Sequence, residues 1–220
     1  MSRPAIRILS LSDTVVSLLY SPWLRNRRDQ VDVIVGCGDL PYHYLEYVFN
    51  GLAAPLYYVR GNHDKVIEYS SAGQRTEPHG GFDLHGQVAR YKGLLLAGVE
   101  GSLRYRTGPF QYTQREMWRH VAGLVPGLLR NRLQYGRYLD VFVTHAPPTG
   151  IHDAEDLPHQ GIDAFRWLVK VFKPALHLHG HIHVYYPWQE TETHQGATRV
   201  INSYGWRETV VEIPQSQERD

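Results

Sequence analysis

The sequence predicts an α/β fold whose first part is a largely parallel sheet. Three observations lead there. Short apolar runs recur bounded by glycine or proline, stretches of helical spacing lie between several of them, and polar residues able to do chemistry fall just after the runs. Alternating strands and helices build layered domains, and in open α/β sheets sites form at the carboxyl ends of strands. At 220 residues the chain can bury one sizeable core, so a single domain over 1–220 is expected.

The expected strands are, in order, "IRILSL" (6–11), "VDVIVGC" (31–37), "PLYYV" (55–59), "GLLLAGV" (93–99), "DVFVT" (140–144), "PALHLHG" (174–180) and "TRVIN" (198–202). Each is a continuous apolar run, the pattern of a strand covered on both faces. Helical spacing marks "VVSLLYSPWL" from Val15, "YHYLEYVFNGL" from Tyr42, "QYTQREMWRHVAGLVPGLLRNRL" from Gln111 and "GIDAFRWLVKVF" from Gly161. Towards the end, "HVYYPWQ", "ATRVIN" and "ETVVEI" are short and closely spaced, and are expected to form antiparallel hairpins on a second sheet.

Composition narrows the function classes. A formal charge of +1 with a fifth of residues charged excludes a disordered acidic tail and a protein built to coat nucleic acid. The run "RNRR" (25–28) reads as the solvated end of a helix. The only cysteine, Cys37, excludes an intramolecular disulfide and fits a reducing, cytoplasmic location. No stretch reaches the roughly 18 apolar residues of a membrane span. The unusual count is histidine, at 13.

The chemistry-bearing residues follow the strands. Asp13 comes after the first run, "GCGDLP" puts Asp39 after the second, and "RGNHD" puts Asn62, His63 and Asp64 after the third. "VTHAPP" carries His145, and "LHGHIH" carries His181 and His183. Each piece has an ordinary reading: a helix N-cap for either aspartate, a turn for "GNHD", a satisfied core histidine for His145, and one sheet face for His181 and His183. None explains the set. Two carboxylates, an amide and three imidazoles at one sheet edge suit borderline divalent metals such as Mn, Fe, Zn or Ni.

In that order, "SDTV", "GCGDL", "RGNHD", "VTHAP" and "LHGHIH" resemble the calcineurin-like metallophosphoesterase family, whose pattern is DxH, GD, GNH(D/E), H and GHxH. The resemblance implies a four-layer α/β/β/α sandwich of two mixed sheets flanked by helices, with two divalent metals at one edge and hydrolysis of phosphomonoesters or phosphodiesters. It makes Asp39 the bridging carboxylate, with Asn62, His145 and His181 on one metal and Asp13 and His183 on the other. His63 becomes the general acid beside the leaving-group oxygen, and Gly38, Gly61 and Gly180 the points of close backbone approach. Manganese is favoured. The sequence leaves the class of phosphate ester open, nucleic acid included, and carries no sign of oligomeric state.

One position departs from the pattern. The family's first motif has histidine two residues after the aspartate, where this chain has Val15. A valine gives a metal nothing, so the Asp13 site is expected to be labile or empty. The alternative is a catalytically degenerate fold that serves as a metal-binding or protein-binding module. His43, His152 and His159 are the histidines placed to substitute, and Thr14 less so. For the substrate, "GVEGSLRYRTGPF" brings Glu100, Ser102, Arg104, Tyr105 and Arg106 towards the same edge, where an arginine suits a phosphate. Tyr42 and Tyr44 are placed either to stack on a base or sugar or to pack a helix.

Overall fold

The computed structural model describes residues 5–70 and 73–214. Its first half runs through β1 (Ala5–Ser12), a 3-10 helix (Pro22–Gln30), β2 (Val33–Gly36), α1 (Tyr42–Leu52), β3 (Leu56–Tyr58), β4 (Glu68–Ser70), β5 (Gly73–Arg75), β6 (Gly81–Asp83), β7 (Val88–Tyr91) and β8 (Leu94–Val99). There follow β9 (Ser102–Leu103), β10 (Gln111–Tyr112), α2 (Gln114–Tyr135), β11 (Val141–Thr144), a 3-10 turn (Leu157–His159), α3 (Asp163–Phe172), β12 (Leu176–His179), β13 (Glu192–Gln195), β14 (Thr198–Asn202) and β15 (Gly205–Glu212).

Two mixed sheets carry the fold, ordered β15-β1-β2-β3-β6 and β13-β14-β12-β11-β8-β7. In the first, β1, β2, β3 and β6 are parallel and β15 closes the edge antiparallel. In the second, β14, β12, β11 and β8 are parallel, with β13 and β7 antiparallel at the edges. Side-chain alternation then sorts the apolar residues. Ile6 and Ile8 of β1 face inward, joining Val33 and Val35 against Leu94, Leu96, Val141, Val143, Leu176 and Leu178 of the opposite sheet. Leu9 and Leu11 face outward and pack with Tyr44, Leu45, Val48 and Leu52 of α1. On the far side Phe142, Ala97 and Val99 meet Met117, Val121, Leu124 and Leu128 of α2 and Phe165 and Leu168 of α3. The result is helix, sheet, sheet, helix. Burying each large aliphatic contributes about 1.5–3 kcal/mol.

Three expectations need correction. No α-helix forms from Val15: the chain turns and a 3-10 helix starts at Pro22. Proline bars Ser21 from the helical region, which sits extended at φ −144° and ψ 166°, and it supplies no N–H to continue a helix through it. "HVYYPWQ" is a loop, not a strand. Gln189 ties it back on itself, accepting from Tyr185 N at 3.2 Å and donating to His183 O at 2.9 Å. "ETVVEI" lies in β15, which belongs to the first sheet and pairs Ile6 with Val211. By contrast α2 keeps its full length although Pro126 lies inside it, anchored by a capping box between Thr113 and Glu116. Among the described residues no helix is long and apolar enough to cross a membrane.

Candidate metal centre

The parallel strands of both sheets point their carboxyl ends to one edge, and the loops leaving them carry the residues of interest. β1 delivers Asp13, β2 Asp39, β3 Asn62 and His63, β11 His145, and β12 His181 and His183. The tight turns there leave no room for side chains. At Gly38, φ is +92° and an added Cβ would lie 2.7 Å from His145 Nδ1. At Gly61 and Gly180 it would collide with Asp39 and with Ser12 and Asp13. Asp13, Asp39 and His181 themselves hold positive φ, at 65°, 58° and 70°. Such conformations cost free energy and persist where surrounding contacts enforce them.

Four donor atoms meet at this edge. His145 Nε2 is 3.0 Å from Asn62 Oδ1, 3.1 Å from His181 Nδ1 and 3.3 Å from Asp39 Oδ2. The tautomers follow from the other ring nitrogens. His145 Nδ1 donates to Cys37 O at 2.8 Å, and His181 Nε2 donates to Pro158 O at 2.7 Å. A carbonyl oxygen only accepts, so the neutral His181 ring turns its lone-pair nitrogen to the cluster, and His145 does the same once Nε2 gives up its proton. Carbonyl-anchored imidazoles of this kind orient metal-ligating histidines. Asp39, His145 and His181 can each place a ligand atom within 4.8 Å of the others. Lone pairs from two imidazoles, an amide and a carboxylate repel one another unless a cation or proton sits between them, so the donor set fits a borderline divalent metal.

Without a cation, a proton on His145 takes its place between the donors. Burial opposes the His145 charge, but Asp39 outweighs it and holds the imidazole up to about 9. Burial likewise works to raise Asp39, yet His145 and the His63 N–H bring it down to about 2. His181 is pushed down to about 3 by burial and by His145.

Asp13 and His183 lie beside this cluster and are more loosely arranged. The Asp13 carboxylate accepts from His181 N with both oxygens, at 3.1 and 3.0 Å, and burial raises its pKa. His183 is 44% exposed, sits 4.0 Å from Asp13 Oδ1, and turns Nδ1 to the Tyr185 hydroxyl at 3.0 Å. Val15 is 40% exposed. The histidines expected as substitutes for a ligand at position 15 are engaged elsewhere: His43 with Glu68, His152 with His179 and Thr193, His159 with Asp156. Tyr42 and Tyr44 are buried, bonding Lys65 O and the Val16 N–H, so they pack α1 and do not stack on a ligand.

His63 stands exposed at the rim, its N–H donating to Asp39 Oδ1 at 2.7 Å. Beside it opens a cavity of about 400 Å³ lined by Asp39, His43, Lys65, Glu68 and Tyr69. Asp64, a neighbour in "GNHD", is a fastener that sequence reasoning left out of the site. Its carboxylate accepts from Gly61 N at 2.7 Å and from Asp39 N and Leu40 N at 3.1 Å each, locking the Asp39 and Asn62 loops together. Burial and the Asp39 charge push it up to about 7. The motif was the signal, since an acid follows GNH in the family pattern.

Solved structures share the architecture. One aligns over 96% of this chain and 100% of its own with a TM-score of 0.63 at 15% identity. Another, TT1561 of Thermus thermophilus, aligns over the same shares with a TM-score of 0.58 at 17% identity. At these identities the likeness is one of fold. No curated protein matches the sequence. The sequence model described as calcineurin-like phosphoesterase matches residues 7–185, from the strand that carries Asp13 to the loop beyond His183. By that match the chain belongs to the calcineurin-like phosphoesterase family.

Proposed function

We propose that this protein is a metal-dependent hydrolase of phosphate esters whose Asp13-side metal site is the weaker of two. The observation that carries the reading is the convergence of Asp39, Asn62, His145 and His181 with both imidazole tautomers set by carbonyls. In it, Asn62, His145 and His181 would hold one metal and Asp13 and His183 the other, with Asp39 shared between them. Bound there, divalent cations, Mn²⁺ foremost, supply positive charge for the phosphoryl oxygens and acidify a water. The chain does the rest. Asp39 holds the site's negative charge, and Asp64 keeps Asp39 and Asn62 at their spacing. His63, at the mouth of the 400 Å³ cavity, would donate a hydrogen bond to the leaving-group oxygen. A cytoplasmic setting is part of this reading, supported by the buried, unpaired Cys37.

Metal content of the purified protein, measured with hydrolysis of generic mono- and diesters in added Mn²⁺, tests it. Metal and turnover are expected. Protein that takes up no metal and cleaves neither ester ends the enzyme reading. A second reading, a degenerate fold kept as a binding module, is favoured by the looseness of the Asp13 side; metal uptake without turnover is its signature.

Two further outcomes are expected. Val15→His should raise metal occupancy on the Asp13 side and lower the Mn²⁺ needed for activity; no change in either counts against a labile first metal. The pH dependence follows from His145. Below about 9 its proton competes with the cation for Nε2, so Mn²⁺ affinity should rise about tenfold per pH unit towards 9 and then level off. Calorimetry in buffers of different ionisation enthalpy should count about one proton released at pH 7. Uptake without proton release would rule out a protonated His145 in the metal-free protein.

A further inference from the structure

The loop between β9 and β10 brings two side chains to the rim of the cluster. Tyr105 OH accepts from Asn62 Nδ2 at 3.3 Å, and one Arg106 Nη lies 3.2 Å from His63 Nδ1. The loop is built to hold them. Buried Gln111 accepts from both Tyr105 N and Arg106 N at 3.3 Å, and an added Cβ at Gly108 would come within 2.7 Å of the Gln111 amide nitrogen. The two arginines of "LRYRTG" part company here. Arg104 is spent on Gln111 O and Glu116 at the head of α2. Arg106 is exposed and makes no ion pair among the described residues.

A guanidinium only donates. His63 Nδ1 must therefore accept, which leaves the hydrogen on Nε2 and fixes the tautomer that donates from that nitrogen. Among the described residues the remaining N–H groups of Arg106 meet no hydrogen-bond acceptor, and its guanidinium lies over the Tyr105 ring, 5.2 Å from the centroid, beside the residue proposed to face the leaving group. A phosphodiester has two non-bridging oxygens sharing one charge. A phosphomonoester has a third, and near neutral pH a second charge. An additional fork of donors next to the metal-binding residues matches that third oxygen, because guanidinium pairs with phosphate in a bidentate fashion.

We propose that Arg106 is a phosphate-binding side chain that grips a terminal oxygen of a phosphomonoester, so that the site prefers monoesters to diesters. This rests on the phosphoesterase reading above. The test compares wild type with Arg106→Ala and Arg106→Lys, by calorimetric titration with inorganic phosphate and with dimethyl phosphate, with and without Mn²⁺. Loss of a charge-assisted pair predicts phosphate affinity about 10–100-fold weaker in Arg106→Ala, with partial recovery in Arg106→Lys. Dimethyl phosphate affinity should move less than about threefold, and Mn²⁺ content should not change. Turnover should follow: kcat/KM for p-nitrophenyl phosphate drops at least about tenfold in Arg106→Ala, and the drop for bis(p-nitrophenyl) phosphate is smaller. Equal phosphate affinity in wild type and Arg106→Ala, absence of phosphate binding in both, or equal losses on both ligands would overturn the proposal. Failure of the hydrolase reading is a separate outcome, seen as wild type that takes up no Mn²⁺; the metal-free phosphate titrations then still decide for or against Arg106.

Discussion

Asp39→Ala is expected to lose phosphoester hydrolysis, to weaken Mn²⁺ binding by at least about 10–100-fold and to destabilise the metal-free protein by about 3–5 kcal/mol. The stability loss arises because the carboxylate faces a fully buried imidazole, His145, at 3.3 Å. Removing one member of a buried pair strands the other charge. The pH window follows from both partners. Asp39 is held at about 2, below the ordinary 3.8, so its contribution is present above 3.8 and is lost as pH falls through 2. His145 is held up to about 9, above the ordinary 6.5, so its contribution is full below 6.5 and is lost as pH rises through 9. The difference in stability between wild type and Asp39→Ala should therefore be greatest from about pH 4 to 6.5 and fade above 9. Urea denaturation of metal-free protein across that range measures it. A difference below about 1 kcal/mol at pH 5.5 would mean that the pair is not charged as described.

Asp64→Ala should be almost as damaging without touching a donor atom. It removes the acceptor for three backbone N–H groups at once, those of Asp39, Leu40 and Gly61. Buried donors left unsatisfied cost about 1–3 kcal/mol each, and water entering the gap will recover part of that. A net loss of about 3 kcal/mol and a weaker Mn²⁺ site are expected. Asp64→Asn should be milder. Its amide oxygen can keep the Gly61 and Asp39 bonds, while its NH₂ group meets the Leu40 N–H donor to donor. The ordering Ala worse than Asn, in both urea midpoint and Mn²⁺ affinity, is the signature of a clasp. If both variants bind Mn²⁺ as tightly as wild type, Asp64 does not position the site.

The seven strands foreseen as continuous apolar runs form because both faces of each sheet are covered, which leaves a signal that needs no knowledge of neighbours. Val15 to Leu24 misled because its apolar spacing was helical while Pro22 governed the backbone. "HVYYPWQ" misled in another way. Its aromatics have strand propensity, yet Tyr186 and Trp188 stack on each other with centroids 4.9 Å apart in an exposed loop, outside any ladder. At the candidate site, Asp39, Asn62, His145 and His181 were legible because each follows a strand within a motif. Contacts made by reach were not. That Arg106 faces His63 while Arg104 faces Glu116 depends on how Gln111 bends the loop, and residue order does not encode the bend. The occupation of His43, His152 and His159 by other partners was equally invisible, since those partners lie on distant segments.

The closing strand of the first sheet has a consequence for assembly. β1 lies between β2 and β15, and its outer partner is nearly the whole chain away, Ala5 pairing with Glu212. During synthesis β1 emerges early and keeps an unpaired edge until β15 arrives, and such an edge is a template for pairing with other chains. Closing it is a long-range event of the kind that slows folding. Asp39 and Asn62 come from adjoining strands and can be organised early, whereas the loop bearing Asp13 gains its outer support from Tyr204 and Gly205 only when the sheet is finished. The edge of the site that carries Asp13 and Val15 is thus the edge assembled last.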